Sequence, residues 1–399
     1  MRRLEQEQRS NFSVPEIDVW RGLAVVFMVL NHAGFALLSS DSKQNLAVRI
    51  FLHITSHAPV LFFFITGVGY GISRGWSGAA RKVSGVFYKG VILILIDLLI
   101  RISHKSIGFG WDFLGFIAAS MLILHAVQSV KRPVMLALGL ACACIFMRFF
   151  MLPILNRVVP DGFHYFGWIE MLLGARSVPN CSYWFIPWLC YPLLGFVAGY
   201  MYADARLSSL RESLSNRFFL LCCALTLPTL IVLSLDLSYF RWGTVSFAFF
   251  VSSFAVLIWT YYLACKLVVG GEKFSLLLKL RLRGINCLLV VPIHYILIYG
   301  AAMAGWDDLW AGSFCVVSFA IICMSFWAGN RVGALTQVGW MKRPATVIVL
   351  YIIGLSSLVI GYMNVGGARD ISVIFLVSAF IVSPLIALPY RMQRARVVD

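Results

Sequence analysis

What most constrains this chain is a series of apolar runs of about 20 residues, separated by short polar breaks, that recurs from residue 17 to residue 390. Each run is long enough to cross a hydrocarbon core roughly 30 Å thick. Inside that core the backbone must hydrogen-bond to itself, so a chain of such runs folds as membrane-spanning helices. Charged residues make up 13% of the sequence, against about 25% in an ordinary soluble domain. The expected fold is an all-α polytopic membrane protein of about twelve transmembrane helices. Residues 1–399 form a single integral-membrane domain with a short segment at 1–16 and a tail at 391–399, and no stretch is left for a sizeable soluble domain.

The spans are placed at 17–38, 50–72, 84–100, 111–130, 133–155, 183–203, 218–237, 243–265, 284–303, 309–328, 345–363 and 371–390. Twelve crossings put both termini on one side. Of the 33 Lys and Arg residues, 22 fall on the terminal side and 8 in the opposite loops, a bias that makes the termini cytoplasmic. The net charge of +16 is thus an orientation signal for a lipid bilayer and not the footprint of a nucleic-acid partner. The ten cysteines lie mostly inside apolar runs, without zinc or disulfide spacing, and read as small buried hydrophobes. Arg2 and Arg3 are offset by Glu5 and Glu7, and the first run contains Arg21 and no small-residue cleavage site, so an uncleaved first helix is expected. Short loops point to a bacterial inner (plasma) membrane. Asn180-Cys181-Ser182 is a glycosylation acceptor only in a eukaryotic secretory membrane.

The first span carries Asp18, Arg21, Asn31 and His32. Such groups cost roughly 2.5–3.5 kcal/mol each in a lipid-facing helix, so they face a protein interior and act there. Arg21 and His32 are about 16 Å apart along a helix and within about 20° of one face. Asp18 pairs with Arg21 across one turn. The other embedded polar groups gather towards the opposite, outer half: Asp97 and Arg101, Arg148, His57, Asp236, and His294 beyond Pro292, which is expected to kink its helix. The longest outer connection, 156–182, holds Trp168 and Glu170 and has the length of a lid or substrate rim.

Plainer roles compete with each of these. Asp97 and Arg101, at i and i+4, read first as a structural ion pair. His53 and His57 share a face but have no third ligand, so no metal is expected. Gly67, Gly69 and Gly71 allow close helix packing.

The string IDVWRGLAVVFMVLNH, residues 17–32, resembles the acyltransferase-3 superfamily, in which a basic residue and a histidine separated by ten positions mark the first helix. SHAPVLFFFITGVGYG, residues 56–71, is similar to the second helix of that family and of the bacterial relatives of heparan-α-glucosaminide N-acetyltransferase. Two later stretches, YWFIPWLCYPLLGFVAGY and GINCLLVVPIHYILI, also resemble it. Thr66 stands where many members have Ser. The resemblance implies a membrane acyltransferase that takes an acyl group, usually acetyl, from cytoplasmic acyl-CoA to a sugar hydroxyl or amine of an extracytoplasmic glycan.

By position Arg21 matches the basic residue, His32 the essential histidine, and His57 a histidine of the bacterial relatives. The expected catalytic set is therefore His32, Arg21 and His57, with Arg21 and Asp18 at the acyl-CoA (acetyl-CoA) co-substrate. Asn31 or Arg148 is assigned to the oxyanion. The carbohydrate acceptor falls to Asp97, Arg101, Arg148, Asp236, Trp168, Glu170 and His294. A homo-oligomer is left open. The competing reading is a proton- or anion-coupled polytopic transporter using the same embedded groups. The lack of an internal repeat disfavours it.

Overall fold

A helix satisfies its own backbone wherever the chain meets lipid, and the computed structural model is helical wherever the apolar runs are described. It describes residues 14–77, 83–103, 112–154, 183–203, 224, 245–269, 286–335, 344–363, 378–383 and 385. Within them, six helical stretches are long and apolar enough to cross a membrane. Ten of the twelve expected spans coincide with helices. The span at 218–237 lies outside the described residues apart from Ala224, and 371–390 is described only at 378–383 and 385. The protein is an all-α polytopic membrane protein.

The helices are α1 (Pro15–Leu37), α2 (Ser40–Gln44), α3 (Leu46–Thr55), α4 (Ala58–Ser77), α5 (Val83–Ser103) and α6 (Phe113–Ser129). They continue with α7 (Pro133–Phe146), α8 (Phe185–Ala203), α9 (Phe247–Val269), α10 (Asn286–Met303), α11 (Ala311–Leu335) and α12 (Pro344–Met363). A π-helical turn, Met147–Met151, continues α7. Pro15 opens α1, where its missing amide costs nothing, and Glu16 and Asp18 complement the helix dipole in the first turn.

α1 is the axis of the bundle, packed against α3, α4, α9, α10 and α11. Polar bonds fix its rotation: Trp20 Nε1 donates to Thr260 Oγ1 of α9 at 2.8 Å, and Asn31 Nδ2 donates to the Leu52 carbonyl of α3 at 3.0 Å. Past its end, the Ser39 amide donates to the Leu309 carbonyl and the Leu309 amide to the Leu37 carbonyl, tying the α10–α11 connection to α1.

The second expected span is broken. α3 stops at Thr55 and α4 begins at Ala58, although hydropathy runs through both. Pro59 explains the break, because it has no amide to give the Thr55 carbonyl and its ring clashes with that oxygen. Ser56 closes α3, its hydroxyl donating to the His53 carbonyl at 2.6 Å. Pro292, by contrast, is accommodated inside a single α10.

Gly67, Gly71 and Gly75 line one edge of α4 against Pro192, Phe196 and Ala203 of α8, whose Gly195 and Gly199 in turn meet Phe64 and Val68. A Cβ on Gly67 would overlap the Pro192 carbonyl, and one on Gly71 the Phe196 carbonyl, so the two backbones touch. Ascending residues of one helix meet ascending residues of the other. α4 and α8 therefore run parallel, as the second and sixth crossings of a serpentine chain must. Gly69 lies off this seam, where an added Cβ would meet Arg21 Nη2 at 3.7 Å.

Candidate active site

The end of the bundle where α1 terminates holds a cavity of about 240 Å³. α1 contributes Met28, Asn31, His32 and Phe35; the break before α4 contributes Ser56, and the first turn of α4 contributes Ala58 and Pro59. Asp97 comes from the last part of α5, Asp112 from the start of α6, Tyr183 from just before α8, and Val291 and Tyr295 from α10. The first turns of α4 and α6 thus border the cavity, where helix dipoles favour negative charge. Its volume is just under the roughly 300 Å³ at which drug-sized pockets begin, enough for reacting groups but not for a whole nucleotide carrier.

His32 Nδ1 lies 2.8 Å from His294 Nε2, an approach that joins α1 to α10 across 262 residues of sequence. The His32 ring stacks on His294 at 5.1 Å and on Tyr295 at 5.0 Å between centroids. His294 is fully buried, and its Nδ1 contacts the Val290 carbonyl at 3.1 Å. His32 is half-buried and lines the cavity, whereas His294 stands behind it.

Asp97 takes a structural role through backbone amides. Its Oδ1 accepts from the Gly115 amide at 2.9 Å and its Oδ2 from the Asp112 amide at 3.3 Å, so it caps α6 from the neighbouring helix. Among the described residues the salt bridge is Arg21–Asp18, at 2.6 Å, and not Asp97–Arg101. Arg101 is buried beside the cavity wall and does not line it.

Arg21 and Asp18 pair as their spacing requires, but they lie outside the cavity. The α1 lining ends at Met28, about 10 Å along the helix from Arg21. The two motif residues therefore do not both line this cavity. His57 is fully buried and also off the cavity; its Nδ1 donates to the His53 carbonyl at 3.0 Å, its Nε2 contacts Ser252 Oγ at 2.9 Å, and its ring stacks on Phe249. Arg148 Nε donates to the Val245 carbonyl at 3.2 Å, away from the cavity. Asn31 lines the cavity but gives its amide hydrogens to the Leu52 carbonyl and to Thr55 Oγ1, at 3.0 and 3.2 Å, so it has none left for an oxyanion. Asp236, Trp168 and Glu170 lie outside the described residues. Among the described residues no three His, Cys, Asp or Glu side chains gather to hold a metal ion.

Asp112, Tyr183 and Tyr295 join the site without having been singled out in the sequence. Tyr295 had a signal, since it follows His294 directly. Asp112 and Tyr183 sit just before helix starts, and only the fold brings them to His32.

A family model described as "Heparan-alpha-glucosaminide N-acetyltransferase, catalytic" matches residues 14–235, more than half of the chain. The matched segment contains Arg21, His32, His57, Asp97 and Asp112; His294 and Tyr295 lie beyond it. No curated protein matches the chain.

Proposed function

The chain belongs to the heparan-α-glucosaminide N-acetyltransferase catalytic family, and from that premise we propose that it moves an acyl group, acetyl first of all, from acyl-CoA to a sugar hydroxyl or amine of an extracytoplasmic glycan. The observation that carries this reading is the placement of His32. The histidine of the Arg21–His32 pattern lines a confined cavity beside two carboxylates, Asp97 and Asp112, with a second histidine behind it. A neutral imidazole there can act as general base.

The acceptor's proton passes to His32 as its oxygen or nitrogen bonds to the thioester carbon. The carbon–sulfur bond then breaks, and the departing CoA thiolate takes the proton back. Asp97 and Asp112 offer acceptor atoms for sugar hydroxyls or an amine, and Tyr295 and Phe62 offer ring faces. The excess of Lys and Arg on the terminal side supports an extracytoplasmic position for this cavity.

Arg21, at the opposite end of α1, anchors the CoA phosphates, with Asp18 orienting its guanidinium. The α1 lining of the cavity ends at Met28, so the thioester's path to His32 runs along α1 between Arg21 and Met28. The link to the acyltransferase-3 superfamily, drawn from the Arg21–His32 spacing, is part of the same proposal.

Purified protein in lipid nanodiscs, given labelled acetyl-CoA with and without glucosamine or a hydroxyl-only sugar, tests this. Label on sugar supports the reading, and the sugar that takes it separates N- from O-transfer. Label held by the protein before sugar is added replaces the base with a histidine nucleophile. Label on neither contradicts the proposal.

A further inference from the structure

The contact behind His32 determines more than ring orientation. A carbonyl oxygen only accepts, so the 3.1 Å contact with Val290 requires the proton of neutral His294 to sit on Nδ1. His294 Nε2 then carries a lone pair. It faces His32 Nδ1 at 2.8 Å, where a second lone pair would be repelled, so His32 Nδ1 must carry the hydrogen. A neutral His32 has no other ring proton, and its Nε2 is left basic. At His57 too, Nδ1 donates to the carbonyl four residues earlier, while Nε2 contacts Ser252 Oγ at 2.9 Å.

We propose that His294 is a positioning residue: anchored on the Val290 carbonyl, it fixes the tautomer of His32 so that Nε2, not Nδ1, is the atom that takes the acceptor's proton. This rests on the reading of His32 as the base. His294 is fully buried and off the cavity wall, so it acts through His32 and not on substrate. When Nε2 gains the proton, the Nδ1–H of the resulting imidazolium still points at His294 Nε2, and that bond becomes charge-assisted. The positive charge is held in place until the thiolate recovers the proton. His32 stacks on Tyr295 and the His294 ring lies tilted against it, so Tyr295 braces both during the cycle. The chemistry needs one donor–acceptor direction through two imidazoles, and a backbone carbonyl sets it.

The test is ¹⁵N NMR of the imidazole nitrogens in the full chain, labelled at histidine and held in lipid nanodiscs at about pH 8, above the ordinary imidazole range. The His32 signals are identified by their loss in His32→Asn. Wild-type protein should show His32 protonated at Nδ1. His294→Ala should mix the two tautomers, and His294→Gln, whose side-chain oxygen accepts from Nδ1–H, should restore the first. In parallel, kcat for acetyl transfer to glucosamine should fall about 10- to 100-fold in His294→Ala with KM for acetyl-CoA unchanged, and recover in part in His294→Gln. Protonation of wild-type His32 at Nε2 overturns the inference and needs no variant to fold. An unchanged His32 tautomer in folded His294→Ala overturns it as well. The expected tautomers in a protein that transfers no acetyl group would uphold His294's role while defeating the acyltransferase reading.

Discussion

His32 and His57 both come from the family resemblance, yet they occupy different surroundings, and substitution should separate them. His57 is enclosed, with both ring nitrogens bonded, so His57→Ala leaves the Ser252 hydroxyl and the His53 carbonyl without those bonds in a buried place. The expected cost is about 1–3 kcal/mol of stability, read as a lower midpoint in thermal unfolding. Acetyl transfer per folded molecule should survive far better than in His32→Ala. Full stability with no activity in His57→Ala would instead make His57 a participant in the reaction. At this scale the sequence was informative where the signal was local: the Asp18–Arg21 pair follows from helical spacing. The His32–His294 contact was not legible, because it spans 262 residues and hydropathy carries no record of which helices touch. Asp97 shows a related limit: its charge feels Arg101, but the salt bridge among the described residues is Arg21–Asp18. Spacing along one helix says nothing of the α6 amides that reach the carboxylate first.

At the scale of elements, glycine positions on α4 make the sharpest contrast. Gly71→Leu places a side chain into the backbone of α8 and should abolish folded protein in size-exclusion chromatography. Gly69→Ala adds a Cβ whose nearest neighbour is Arg21 Nη2 at 3.7 Å, an ordinary contact, and should elute like wild type. Equal damage from both would mean that α4 presents another edge to α8. Asp97→Ala should lower stability by about 1 kcal/mol through loss of the α6 cap, seen in the same thermal assay. The apolar runs marked where helices lie, since a 20-residue run in lipid has few alternatives. They did not mark the interruption at Ser56–His57, where a local steric rule at Pro59 prevails inside continuous hydropathy. That interruption matters to the site, because it brings Ser56 and Pro59 to the cavity wall.

For the whole molecule, the account depends on direction as well as on chemistry. The parallel run of α4 and α8 agrees with alternating crossings, and the proposal that the cavity end faces outside rests on the Lys and Arg bias. Lys43 lies on α2, at that end of α1, and Lys43→Cys should react with a membrane-impermeant maleimide in intact cells. Reaction only after lysis would invert the topology and move the acceptor to the cytoplasm. The central claim, that the cavity at His32 is where acyl transfer occurs, meets its most direct test in one paired measurement. Wild-type protein and His32→Ala, matched for folded amount in nanodiscs, are given labelled acetyl-CoA and the acceptor sugar. The account predicts labelled sugar from wild type and none above background from His32→Ala; transfer at the wild-type rate by the folded variant would contradict it.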